Sequence, residues 1–216
     1  MTGAPTIDEL VVADPPEAWE SVGFRVEDGV CAVSTVNLVL AGPDAGRGLV
    51  SWSVRGLPEG ADLDGLPTAT STAPERQPAT PHPNSVIALD HLVVFTPDRK
   101  RTAGAIENTG LEVRRMRDEP SPGGAGFQAF FRLGEVVLEV IEYAPGTPHA
   151  GERDAPARLW GLSFTVESME RCQEALGDRL GSPGDAVQPG RRIATVRRSA
   201  GLGVPVAFMT PGPKAA

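Results

Sequence analysis

Thiols and positive charge are scarce in this chain, and long apolar runs are missing. Its two cysteines, Cys31 and Cys172, stand far apart, each inside an apolar-periodic stretch. Two buried reduced thiols are therefore expected rather than a bridge, and a cytoplasmic, reducing setting with them. No apolar run approaches membrane-spanning length. The segment Met1 to Leu10 is acidic and lacks the basic and long apolar runs of a secretory signal. The net charge is -8, and residues 1–69 carry all of it, with three Arg against eleven Asp or Glu. An acidic protein of this kind is a poor prospect for nucleic acid, since phosphate contacts need a basic face. Also missing are a P-loop, a dinucleotide fingerprint, a G-x-S-x-G elbow and zinc-finger spacing.

What is present is repetition. Ile7-Asp8-Glu9-Leu10-Val11-Val12 matches Leu89-Asp90-His91-Leu92-Val93-Val94, and Asp14-Pro15 follows the first as Pro97-Asp98 follows the second. Each copy runs through a short helical stretch to a Gly-apolar-charged-Val segment, Gly23–Val26 and Gly110–Val113. A fainter third copy is Leu162-Ser163-Phe164-Thr165-Val166, then a helix from Met169 to about Leu180. Repeats of this length specify one supersecondary unit used several times. The order read is β-α-β-β-β in each. In the first unit Phe24–Glu27, Val30–Leu40 and Gly48–Val54 follow a helix at Glu17–Val22. In the second Leu111–Met116, Phe127–Leu133 and Val136–Tyr143 follow a helix at Asp98–Asn108. The third ends with strands near 191–198 and 204–209. The fold class is thus α+β, in tandem modules. The domains expected are a degenerate N-terminal module at 6–57, a Pro/Thr-rich, extended linker at 58–86 that contains His82, and modules at 87–145 and 158–211.

This order, with Leu89-Asp90-His91-Leu92-Val93-Val94, Phe130-Phe131-Arg132-Leu133-Gly134 and Val137-Leu138-Glu139-Val140-Ile141-Glu142, resembles the vicinal oxygen chelate superfamily. Its members include glyoxalase I, extradiol dioxygenases, methylmalonyl-CoA epimerase and the bleomycin- and fosfomycin-resistance proteins. The resemblance covers 88–145 and 158–211 and, more weakly, 6–57. It implies that two modules pair into a cup-shaped mixed sheet with helices outside. It further implies a divalent metal (Zn, Ni, Mn or Fe) held from the first and fourth strands of each module.

Strand side chains alternate faces. Leu89, His91 and Val93 share one face, and Val137, Glu139 and Ile141 share another. The opposite faces are wholly apolar and are expected on the helix, so His91 and Glu139 face the cup. By the resemblance they are metal ligands and, in an enzyme, the acid/base pair of a lyase-, isomerase- or dioxygenase-like reaction. The matching third-module positions are Gly161 and Ala207, which cannot ligate, and His149 and Glu152 are loop-borne. Gln128, Phe130 and Arg132 share a face of the third strand and are expected to line the same cavity. Trp160 either caps the pocket or fills core. Small, polar Ser163 beside Gly161 and Thr165 suggests room for a ligand. One Arg of each pair, Arg191-Arg192 and Arg197-Arg198, is a candidate to reach a carboxylate or phosphate, with Arg192 named as the binder. Arg99-Lys100-Arg101 reads as a solvated helix face.

Three functions remain open at this point. One is an enzyme acting on a small oxygenated metabolite in the cup between the second and third modules. Another is a non-catalytic, sequestering cup of the bleomycin-resistance type. The third is a structural protein whose cup has decayed. The first module, without a partner, is expected to have an open strand edge, and self-pairing would then make a homodimer.

Overall fold

The computed structural model describes residues 4–119, 126–143, 146–147 and 151–212. The first repeat runs β1 (Thr6–Val12), α1 (Pro16–Ser21), β2 (Val30–Val33), β3 (Val36–Leu40) and β4 (Leu49–Arg55), and β5 (Thr68–Ser71) follows. The second is β6 (Val86–Thr96), α2 (Arg99–Glu107), β7 (Arg115–Arg117), β8 (Phe127–Leu133) and β9 (Val136–Glu142). The third is β10 (Arg158–Val166), α3 (Met169–Leu176), β11 (Gly184–Asp185), β12 (Arg192–Thr195) and β13 (Val206–Met209). The α+β class and the tandem β-α-β units are therefore as expected, on two mixed sheets.

Local signals explain the helix limits. Pro16 opens α1, where a missing N–H costs nothing. The side chains of Asp98 and Ser168 accept from the backbone N–H of Arg101 (3.0 Å) and Arg171 (3.2 Å) and so cap α2 and α3. Gly110, at φ +90°, turns the chain away after α2.

One sheet has the order β2-β3-β1-β4-β5, the other β11-β12-β13-β10-β6-β9-β8-β7. In the larger sheet β9 runs parallel to β6, and β13 parallel to β10. In the smaller, β3 runs parallel to β1 and β5 parallel to β4. The smaller sheet thus repeats the larger in reduced form. β2, β3 and β1 occupy the places of β8, β9 and β6, while β4 and β5 occupy those of β10 and β13. The expectation that Gly48–Val54 closes the first module is corrected here. β4 lies on the other edge of β1 and begins a further, shortened unit. Where the third module has α3, that unit has a loop at 56–67 that buries Leu57, Leu63 and Leu66.

Three further readings change. Phe24–Glu27 forms no strand, only a bridge from Glu27 to Val30. Its Phe24 ring turns into the core instead, 5.1 Å from Trp19 and 5.2 Å from Phe164. Residues 111–114 also lie outside the strand, which begins at Arg115. The stretch 58–86, read as extended and solvated, contains β5 and buries Leu63, Leu66, His82, Asn84 and Ser85. Finally, β1 is an inner strand of the smaller sheet, with β3 on one side and β4 on the other.

The chain divides into two compact units, each discontinuous in sequence. One comprises Met1–Asp8, Ser51–Pro74 and His91–Trp160; the other comprises Glu9–Val50, Glu75–Asp90 and Gly161–Ala216. The second unit holds an aromatic core of Trp19, Phe24, Phe164 and Phe208, all at most 3% exposed. The first holds the candidate site.

Candidate functional site

Parallel pairing of β6 with β9 sets His91 opposite Val137, Val93 opposite Glu139 and Phe95 opposite Ile141. Antiparallel pairing of β9 with β8 sets Phe130 opposite Glu139 and Gln128 opposite Ile141. β7 then sets Arg117 opposite Gln128. Side chains two apart on neighbouring strands are within diagonal reach. Gln128 uses this reach, its Nε2 donating to Glu139 Oε1 at 2.5 Å. His91 and Gln128 are buried, whereas Glu139 and Phe130 are half-buried.

The electrostatics tie these residues together. Burial pushes the Glu139 carboxyl above the usual carboxylate range, and the charge on His91, the Gln128 amide and the charge on Arg117 pull the other way. Burial and the Glu139 charge both push the Tyr143 phenol up. His91, Gln128 and Arg117 therefore favour the charged form of a carboxyl whose burial favours the neutral one. Along the same face Val93, Phe95 and Ile141 form a small core with Tyr143 and Trp160 against it. Trp160 stacks on Phe95 at 4.3 Å and 18°, and Tyr143 meets the Phe95 ring edge-on at 5.0 Å. Trp160 is thus packed on a ring, half-buried. The face is apolar and filled toward Phe95, and polar toward His91 and Glu139.

Other predicted residues fall elsewhere. Arg132 is exposed, and its Nη1 donates to the Glu135 carbonyl of its own hairpin at 2.8 Å. Arg192 is exposed as well. The inward arginine of that pair is Arg191, whose guanidinium grips Asp90, with Thr165 Oγ1 donating to the same carboxylate at 2.7 Å. Ser163 is buried on β10 opposite Ala207, and its Oγ has no partner among the described residues. Glu9 is bound to Arg76 at 2.9 Å. Glu152 is exposed, and His149 lies outside the described residues.

Arg99 and Arg101 also depart from expectation. Arg99 is 5% exposed. Its guanidinium donates to the carbonyls of Arg117 (2.8 Å) and Gln128 (3.3 Å), which anchors the two strands that carry them. Arg101 holds Asp64 through Nε (2.6 Å) and Nη2 (3.1 Å). Only Lys100 keeps the solvated role. A helix-face pattern cannot separate these three, because the partners of Arg99 and Arg101 lie 18 to 54 residues away. Tyr143 and Arg117 were missed because each sits at or past a strand end, where alternation gives out. The recurrence of Asp8 and Asp90 at one repeat position was the available signal for Arg191. Asp8 is likewise gripped by an arginine, Arg55. A cleft of about 460 Å³ opens at the start of α2, between Arg99, Lys100, Phe127 and Glu142, but none of His91, Gln128 or Glu139 lines it.

The donor set does not fit the divalent metal implied by the resemblance. Among the described residues no three His, Cys, Asp or Glu stand together. His91 and Glu139 are two donors, Glu139 already accepts from Gln128, and Gly161 and Ala207 add none. Firm sites use three or four protein ligands. What the arrangement can do is hold or move a proton, with a half-buried carboxyl of raised proton affinity close to an imidazole.

No family model matches this chain, and no curated protein does either. Solved structures do. Methylmalonyl-CoA epimerase from Mycobacterium tuberculosis matches at TM-score 0.50 and 16% identity, over 63% of this chain and 93% of that one. A variant of Streptomyces coelicolor methylmalonyl-CoA epimerase in complex with 2-nitronate-propionyl-CoA matches at TM-score 0.50 and 16% identity, over 61% and 99%. At such identities the likeness is one of fold: the chain shares the fold of methylmalonyl-CoA epimerase.

Proposed function

We propose that the chain is a glyoxalase-like protein of the vicinal oxygen chelate superfamily that binds a small oxygenated metabolite at His91 and Glu139. In this reading residues 87–211 are the glyoxalase-like domain, and the smaller sheet is a degenerate, reduced copy of it. Glu139 takes or gives a proton at a ligand oxygen or its neighbouring carbon, Gln128 fixes the carboxyl, and Phe130 and Trp160 offer apolar surface. The observation that carries this is the Glu139 carboxyl itself, half-buried, raised in proton affinity and bound by Gln128. A carboxyl kept so on a filled core face has a cost that packing does not require. Two unbridged cysteines support a cytoplasmic site of action.

A second reading, a non-catalytic sequestering protein of the bleomycin-resistance type, is favoured by the short donor set and the aromatic filling around Phe95. One experiment separates the two. A panel of small hydroxy- and oxo-metabolites is incubated with the protein in deuterated water and followed by NMR. Exchange at carbon that is lost in Glu139→Gln and His91→Ala supports acid/base chemistry. Binding without exchange supports sequestration. Neither binding nor exchange by any member sinks both.

A further inference from the structure

The segment 75–85 is strapped along one edge of the smaller sheet. β2 is an outer strand there, with β3 on its inner side. On the outer side His82 Nε2 lies 3.0 Å from the Ala32 carbonyl, and the Ala79 N–H donates to the Ser34 carbonyl at 2.9 Å. His82 Nδ1 accepts the backbone N–H of Arg25 at 3.0 Å. Arg25 Nη1 donates to Thr80 Oγ1 at 2.9 Å, and Asn84 Nδ2 donates to the Val22 carbonyl at 2.9 Å. The imidazole is 6% exposed and packs edge-on against Phe24 at 5.1 Å. Beneath it lies Cys31, fully buried, with Sγ 3.9 Å from Nε2.

Only one protonation state of His82 fits these partners. The Ala32 carbonyl can only accept, so Nε2 carries a proton. The Arg25 N–H can only donate, so Nδ1 is bare. An imidazolium has a donor at each nitrogen, and its second proton would point at the Arg25 N–H. Burial holds His82 below the ordinary imidazole range, the Ala32 carbonyl opposes this, and the Arg25 charge adds to it. The other titratable group against the ring is Cys31, whose thiol burial pushes up to about 12, so it supplies no counter-charge. A sequence reading that places His82 in a solvated linker assigns it none of this.

We propose that His82 is an acid-sensitive latch: one proton at Nδ1 releases residues 75–85 from the outer edge of β2 and uncovers Cys31. Proton uptake by the released ring favours opening once the pH falls below about 6.5, the ordinary imidazole value, by about tenfold per pH unit. The bond to Ala32 need not break first, since the clash is at the other nitrogen. Opening frees the outer backbone groups of β2, which the strap otherwise covers.

The test uses the intact chain and 4,4′-dithiodipyridine, a thiol probe active in acid. Pulses at pH 8 to 5 are followed by peptide mapping, and labelling of Cys31 is divided by its own labelling in the urea-unfolded chain at the same pH. A ratio rising about tenfold per unit below pH 6.5, and flat in His82→Gln, is the expected result. A ratio independent of pH in the wild type, or equally steep in His82→Gln, overturns the latch. If His82→Gln does not fold, nitrogen-15 NMR of the wild-type imidazole decides. Nδ1 without a proton for as long as Cys31 stays protected supports the latch, and a doubly protonated ring over a protected Cys31 overturns it.

Discussion

A single carboxyl distinguishes the candidate site from ordinary packing. Glu139 is held above the usual carboxylate range, so the folded chain binds its proton more tightly than the unfolded chain does. Stability from this group is therefore fully present below the unfolded carboxylate value and lost as the pH rises through the folded one. Replacing it by Gln, which keeps an acceptor for Gln128, should raise the melting temperature at pH 7 by a few degrees, about the effect of 1 kcal/mol in a chain of this length. The gain should vanish near pH 4, and differential scanning calorimetry at the two pH values checks it. A lower melting temperature at pH 7 would mean that the ionised form is stabilised instead. His91, Glu139 and Gln128 were legible in the sequence because period-two alternation fixes a strand's faces. Arg132 obeys the same alternation but stands where β8 runs out into its hairpin, so its long side chain finds solvent. Arg191 and Arg192 alternate too, and only the position of Asp90, 101 residues away, decides which turns inward.

Ion pairs at matching places fasten the strands of both sheets. Asp90 of β6 is bound by Arg191 beside β12, with both side chains 11% exposed. Asp8 of β1 is bound by Arg55 of β4 and by the hydroxyl of Ser71 in β5. Removing one partner strands a buried charge, so Asp90→Ala and Asp8→Ala should each cost about 3–5 kcal/mol, read from urea unfolding midpoints. Restoring neutrality with Asp90→Ala plus Arg191→Met should recover part of that loss. Asp64 tests a different linkage. It sits at φ +58° and accepts from Arg101 and from Thr102 Oγ1. Asp64→Asn keeps a residue at ease in the left-handed region, whereas Asp64→Ala does not. Urea unfolding should therefore rank Asn as the milder change, and the reverse order would deny the backbone a role. The β-α-β order of the elements was visible from hydrophobic pattern and turn residues. The place of β4 was not, because an isolated strand's sequence does not say which edge of its neighbour it joins.

For the molecule as a whole, the first repeat serves as a cover. Trp19 lies 6.2 Å from Phe164, and Phe24 lies 6.1 Å from Phe208, all within one unit. Producing residues 86–212 alone would bare Phe164 and Phe208, both now 0% exposed, at roughly 1.5–3 kcal/mol per side chain. Such a piece should bind a hydrophobic dye and melt without a sharp transition. A cooperative melt equal to that of the intact chain would show the cover to be dispensable. The two units alternate along the chain, which changes unit at 8/9, 50/51, 74/75, 90/91 and 160/161. Neither is a continuous stretch. A ribosome delivering this chain from its N-terminal side has to hand over β9 before the first unit can close and β13 before the second can. Early strands wait, partly made, for late ones, which makes for slow, long-range folding and a need for protection meanwhile. The same alternation limits inheritance: no single crossover between genes can exchange one unit while leaving the other whole.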